Sequence, residues 1–112
     1  MKNILITIIV LVTGSASAAG YSSWAVPEEI ELVNNGLFVK GNFGDSNACG
    51  QAGYVYISQD DITFDRKMSF VLSALHAKRE MRFWVAECVA VTFHWSGNVI
   101  NQNLSNQPAY IR

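Results

Sequence analysis

The chain has 112 residues, 8 Lys+Arg against 9 Asp+Glu, two cysteines, two histidines and a hydrophobic fraction of 50%. A chain this short holds one domain at most, and its near-zero net charge leaves no basic excess to neutralise a row of phosphates, which argues against a dedicated nucleic-acid-binding protein. Its composition, 12% aromatic and only 15% charged, is the opposite of a disordered one, and two cysteines cannot form a structural zinc site without both histidines.

The amino-terminal residues read as an address. Met1-Lys2-Asn3 is a short positive start, Ile4 to Val12 is apolar except for Thr7, and small residues follow from Gly14 to Ala19. Ala16 and Ala18 meet the small-x-small requirement of signal peptidase, so cleavage is expected after Ala18, with Ala19 as the neighbouring alternative. The apolar run is about nine residues long, against roughly 20 needed to cross a bilayer as a helix. No second apolar run of that length and no lipobox cysteine follow. The expectation is a signal peptide over 1–18 and one domain over 19–112, exported to the periplasm or beyond, with no membrane span. A domain of this size buries only about 60–65% of its unfolded surface and needs a staple or a partner. Cys49 and Cys88 supply the staple: in an exported protein the default is a disulfide between them. A redox or nucleophilic thiol is the alternative, but there is no Cys-x-x-Cys.

Taken in order, Tyr21 to Pro27 reads as a loose lead-in. Glu28 to Val33 is a predicted strand, with Ile30 and Leu32 alternating with Glu29 and Glu31. Asn34-Asn35-Gly36 is a turn signal, and Leu37 to Phe43 completes a hairpin with Leu37, Val39 and Phe43 on one face. Gly44 to Gly53 is a loop by composition, carrying Cys49. Tyr54-Val55-Tyr56-Ile57 is a third strand. Phe64, Met68, Val71, Leu72 and Leu75 form one helical stripe, with Thr63 as cap, Asp65 at the positive end of the dipole and Lys78-Arg79 at the negative end. Met81 to Val85 is a strand with Phe83 and Val85 on one side and Arg82 and Trp84 on the other. Val89 to Trp95 is a further strand, in which Val89, Val91, Phe93 and Trp95 alternate with Ala90, Thr92 and His94. Ser96-Gly97-Asn98 is a turn, Val99-Ile100 a short strand, Asn101 to Gln107 a polar loop, and Ala109 to Ile111 an edge.

Three strands, a helix and two strands is the element order of the OB-fold, a five-stranded Greek-key barrel. The expected fold class is therefore mainly β, a barrel with one α-helix and one disulfide. An open α+β sandwich has the same order.

Beyond the element order, the chain resembles the B subunit of subtilase cytotoxin and its relatives, small exported bacterial OB-fold proteins. The resemblance rests on the cysteine loop, the Tyr54–Ile57 strand, Lys67-x-x-x-x-Leu72-Ser73-Ala74-Leu75 in the helix, the basic turn Lys78-Arg79, Cys88, and Trp95-x-Gly97-Asn98-x-Ile100-Asn101. It spans roughly Gly36 to Asn101. The resemblance implies a homo-oligomer, a pentamer in the toxin members, whose helices line a central pore. It also implies a glycan or cell-surface ligand and, in the toxin members though not in many of their relatives, an enzymatic A-type subunit as partner. No sugar-contacting residue of the family transfers position by position.

No catalytic residues are expected. Asp60, Asp61 and Asp65 precede or open the helix, where capping explains them, and no Gly-x-Ser-x-Gly, His-Glu-x-x-His, phosphate loop or EF-hand pattern occurs. No cofactor and no metal are implied. His76 lies at the edge of the helical stripe, where an exposed histidine needs no function, and His94 alternates away from the core. The amphipathic rings Trp24, Tyr54, Tyr56, Trp84, Trp95 and Tyr110 are numerous for so small a domain, and such rings stack on sugar faces or anchor protein interfaces. Trp84 and Arg82, if Phe83 points inward, point outward together. The candidate ligand-binding residues are Trp84, Arg82, Tyr54, Tyr56 and Asn47, the last from a loop whose amides and hydroxyls can read a polyol. The competing readings are that the terminal segment folds over Trp84 and that the loop is only a loop.

Overall fold

A computed structural model describes residues 20–33, 35–91, 98–105 and 107–112, with the backbone alone at 91 and 98. The signal-peptide reading of 1–18, the place of Asn34 in the turn, and the readings of Phe93, His94, Trp95 and Ser96-Gly97 lie outside the described residues. The strands are β1 (Gly20–Tyr21), β2 (Glu29–Val33), β3 (Gly36–Lys40), β4 (Gln51–Ser58), β5 (Met81–Val85), β6 (Glu87–Val91), β7 (Asn98–Asn103) and β8 (Ala109–Ile111), and α1 (Phe64–Ala77) lies between β4 and β5. Among the described residues the fold is mainly β with one helix, as the patterning indicates.

The strands make two sheets, a five-stranded one in the order β2-β3-β4-β7-β6 and a three-stranded one in the order β1-β5-β8. β2, β3 and β4 form an antiparallel meander, with Val33 opposite Gly36 in the hairpin and Leu37 opposite Ile57 in the next pair. Gly36 is dictated by closeness rather than by φ. A Cβ there would collide with the Ile57 carbonyl and the Tyr56 ring. After α1 the chain returns so that β7 runs parallel to β4, and β6 closes that side antiparallel to β7.

The expected single closed barrel is not seen among the described residues. β5 and β6 are separated only by Ala86, and there the chain passes from the small sheet to the large one. At the amino-terminal side the same change of sheet occurs between β1 and β2, around Pro27, which has no N–H to give a ladder. A lone antiparallel bridge, Ala25 to Met81, joins the two regions.

The core lies between the sheets and α1. Leu37, Val39, Val55, Ile57, Phe83 and Val85 are buried there beside Phe43, which meets Phe83 edge-on at 5.4 Å. β5 alternates as its sequence indicates: Met81, Phe83 and Val85 are buried, and Arg82 and Trp84 face outward. A second buried group, Phe38, Tyr56 and Ile100, sits on the opposite face of the large sheet.

Four sequence expectations need correction. The lead-in is not loose: β1 pairs with β5, Ser23 N–H donates to the Phe43 carbonyl at 2.9 Å, and Ser22 Oγ accepts from Phe83 N–H at 2.9 Å. The helical stripe holds for Phe64, Met68 and Val71, which pack on the core, but Leu72 is 51% exposed and Lys67 and Ala74 are buried instead. Thr63 occupies the cap position without a side-chain capping bond, and Lys78 ends the helix in the left-handed region at φ 56°. Asn101 to Asn103 is strand rather than polar loop, with Asn101 and Asn103 buried.

The burial of Lys67 has a chemical reason. Lys67 enters the interior because its ammonium donates to Asp61 Oδ2 and to the Leu104 carbonyl (3.0 Å), and both charged side chains are almost fully covered. Asp61 Oδ1 in turn accepts from Thr63 N–H at 2.7 Å and from Thr63 Oγ1 at 2.6 Å. A buried charge survives only when it is paired and hydrogen-bonded, and here both conditions are met.

Candidate functional site

The register of the small sheet builds an outward patch. Tyr21 stands opposite Trp84, and Arg82 opposite Tyr110, so alternation along β1, β5 and β8 brings all four to one face. The Tyr21 and Trp84 rings meet edge-on at 4.6 Å, and Tyr21 meets Tyr110 at 5.6 Å with their hydroxyls 3.1 Å apart. The Arg82 guanidinium lies 4.0 Å from the centre of the Tyr21 ring, 5.0 Å from Trp24 and 5.1 Å from Tyr110. Arg112 covers the Trp24 ring at 4.0 Å and reaches the Glu80 carboxylate at 3.2 Å.

Such stacking spreads the Arg82 charge over aromatic faces without neutralising it. Arg82 Nε is buried and has no hydrogen-bond partner. The hydrogen bond shared with Tyr21, together with burial, raises the Tyr110 phenol above its ordinary value. It therefore stays a neutral donor or acceptor at physiological pH. The patch offers flat apolar faces, phenol hydroxyls and a guanidinium, which suits binding of a hydroxyl-rich or anionic ligand.

The five candidate residues do not converge. Trp84 and Arg82 belong to this patch. Tyr56 is buried against Phe38 on the other sheet, its hydroxyl donating to the Asn35 carbonyl at 2.8 Å. Tyr54 packs beside that group at a shallow depression with Glu28 and Lys40. Asn47 is buried near the disulfide, and its side-chain amide has no partner. The segments at both ends of the described domain, β1 and β8, fold beside the strand of Trp84 and in doing so assemble the aromatic patch.

The cysteines are bridged, with Cα atoms 5.5 Å apart. The loop that carries Cys49 is organised by Asp45. Its carboxylate accepts from Cys49 N–H at 2.7 Å, Gly50 N–H at 2.9 Å and Asn101 Nδ2 at 2.9 Å. Asn101 Oδ1 accepts from Asn47 N–H at 3.1 Å and lies 3.3 Å from Cys49 Sγ. Ser46 Oγ donates to the Tyr21 carbonyl at 3.1 Å, which ties this loop to the edge of the aromatic patch. Burial pushes the Asp45 carboxyl up, but the hydrogen bonds from Gly50, Asn101 and Cys49 outweigh it and hold the group below the ordinary value.

That depression fixes the sign of a pH effect. Asp45 contributes stability that is present above the ordinary aspartate value of about 3.9 and is lost as pH falls through its lower folded-state value. Urea denaturation at pH 5 and pH 3 should therefore show a smaller acid loss for Asp45→Asn than for the native chain. An equal acid loss in both would exclude Asp45 as a contributor.

No protein-family model, curated protein or solved structure matches this chain. Among the described residues, no three His, Cys, Asp or Glu side chains are grouped to hold a metal, and no helix is long and apolar enough to cross a membrane.

The aromatic patch was only half visible in sequence. Tyr110 and Arg112 flank Ile111 at the two-residue period that would have marked them as one face. Tyr21 and Trp24 carry no such signal, since Gly20 to Ala25 has neither alternation nor β-branched residues.

Proposed function

We propose that the protein is an exported, non-enzymatic binding module that recognises a glycan or another cell-surface ligand through the Arg82-centred patch. In this reading it acts as a homo-oligomer, a pentamer by its resemblance to toxin B subunits, with an A-type subunit as its partner. The observation that carries the reading is the convergence of Tyr21, Trp24 and Tyr110 on Arg82, with Trp84 edge-on to Tyr21, around an arginine that has no carboxylate partner among the described residues. The chain's order supports an OB-fold reading as well. An antiparallel meander, a helical crossover and a strand returning parallel to the third member make a Greek-key path.

A glycan array probed with the native chain, Arg82→Gln and Tyr21→Ala tests this. Binding by the native chain should fall about tenfold or more in both variants, as expected for a contact at the centre of a binding patch. Their melting temperatures should stay close to native. No binding on the array, together with a clean monomer by light scattering, would sink the proposal.

The second reading is a periplasmic protein-interaction subunit or inhibitor. The observation favouring it is exposed apolar surface on and before α1, Ile62 at 92% and Leu72 at 51%. An envelope or secretion operon around the gene would favour this reading, and an adjacent toxin-like enzyme gene the first.

A further inference from the structure

A cleft of ≈330 Å³ lies between the first half of α1 and the segment leading into β8, lined by no residue of the Arg82 patch. Its apolar surface comes from Phe70, Pro108 and Ala109, and Phe70 is 42% exposed on the flank of the helix. That volume falls at the small end of ligand sites, which are mostly apolar with a few placed polar groups.

The uncompensated charge at this cleft is that of Arg66, because the Lys67 ammonium is paired with Asp61. Arg66 and Lys67 line it, and no carboxylate does. Arg66 is exposed and none of the ion pairs or hydrogen bonds among the described residues engages it. Lys67 is buried, and its ammonium gives two of its three protons, to Asp61 and to the Leu104 carbonyl, with no further acceptor among the described residues. The other polar groups are partly committed: the Thr63 hydroxyl donates to Asp61, and Gln107 Oε1 accepts from Leu104 N–H at 2.9 Å. An apolar slot bordered by an unpaired guanidinium and a buried ammonium complements an anion that has an apolar body.

We propose that this cleft binds a small monocarboxylate with a compact apolar body, the body against Phe70 and Pro108 and the carboxylate toward Arg66. The site is independent of the glycan reading, because it shares no residue with the Arg82 patch.

The test is a titration of the native chain with sodium benzoate, followed by amide shifts in two-dimensional NMR. Benzyl alcohol serves as the body without the charge and acetate as the charge without the body. Benzoate should give saturable shifts confined to residues 63–70 and 104–109, and Arg66→Gln should weaken it about tenfold, as a charge-assisted hydrogen bond requires. Acetate and benzyl alcohol should each bind at least about tenfold more weakly. Arg66 is exposed, so the variant's unliganded spectrum should match the native one. No saturable shift by about 10 mM benzoate, shifts elsewhere only, equal binding of benzyl alcohol, or an unchanged affinity in Arg66→Gln would each overturn the site.

Discussion

Replacing Cys49 or Cys88 by serine should lower the stability of the domain by about 4 kcal/mol under oxidising conditions, the chain-entropy value for a closed loop of this length. The bridged residues are 39 apart in sequence and join the Asp45 loop to β6, at the edge of the large sheet. For a domain of this size that loss corresponds to a fall in melting temperature of about 15 °C or more, and against a typical total stability of about 5–15 kcal/mol it is a large fraction. Reduction of the native chain with a dithiol should reproduce the effect, and the serine variants should no longer respond to reductant. The size of the effect follows from what the bridge fastens. Cys88 pairs in register with Asn101, so the disulfide sits beside the amide that also binds Asp45 and the Asn47 backbone. Once the bridge is gone, the loop is held to the rest of the domain by hydrogen bonds such as these and that of Ser46 to the Tyr21 carbonyl. Each is worth about 0.5–1.5 kcal/mol net when neutral and about 1.5–3 kcal/mol when one partner is charged. An unchanged melting temperature would refute a stabilising bridge.

What the sequence made legible was the local period. Met81 to Val85 alternates inward and outward as its residues indicate, β2 and β3 pair as the expected hairpin, and the helix lies where the 3.6-residue stripe runs. What stayed hidden depends on partners distant in the chain. Asn101 and Asn103 look like loop residues, yet they are interior strand residues. Asp45 accepts from the first, 56 residues away, and the Trp84 and Pro108 carbonyls accept from the second, at 2.7 and 3.2 Å. Tyr21 and Trp24 look like a tail until β5 supplies the strand they pair with. The closed barrel failed as an expectation because the break at Ala86 is a single residue with no turn chemistry to announce it. Of the candidate site, Arg82 and Trp84 were legible because they share one strand, whereas the rings around them come from both ends of the domain.

The helix holds the other large effect. Lys67→Met should destabilise the domain by about 3–5 kcal/mol, the usual result of removing one partner from a buried ion pair. Methionine fits the lysine stem, so the loss comes from the Asp61 charge left buried without its ammonium and from the Leu104 carbonyl left without its donor. In the native chain burial pushes Asp61 up, but hydrogen bonds from Lys67 and Thr63 outweigh it and hold the carboxyl below its ordinary value. Its stability contribution is therefore present above the ordinary aspartate range of about 3.9 and is lost as pH falls through the lower folded-state value. In Lys67→Met the burial remains and the ammonium does not, so the folded-state value moves up and protonation relieves the stranded charge. The stability gap between native chain and variant should accordingly be widest near neutrality and narrow at acid pH, as read from urea denaturation at pH 7 and pH 4. Adding Asp61→Asn to Lys67→Met should recover most of the loss, because the asparagine oxygen can still accept from Thr63 while the buried charge is gone. A double variant no more stable than Lys67→Met would mean that the lysine acts through packing or through Leu104 rather than through Asp61. The same measurement bears on the inward face of the helix: Lys67, not Leu72, joins Val71 there, and the pair with Asp61 is what allows it to.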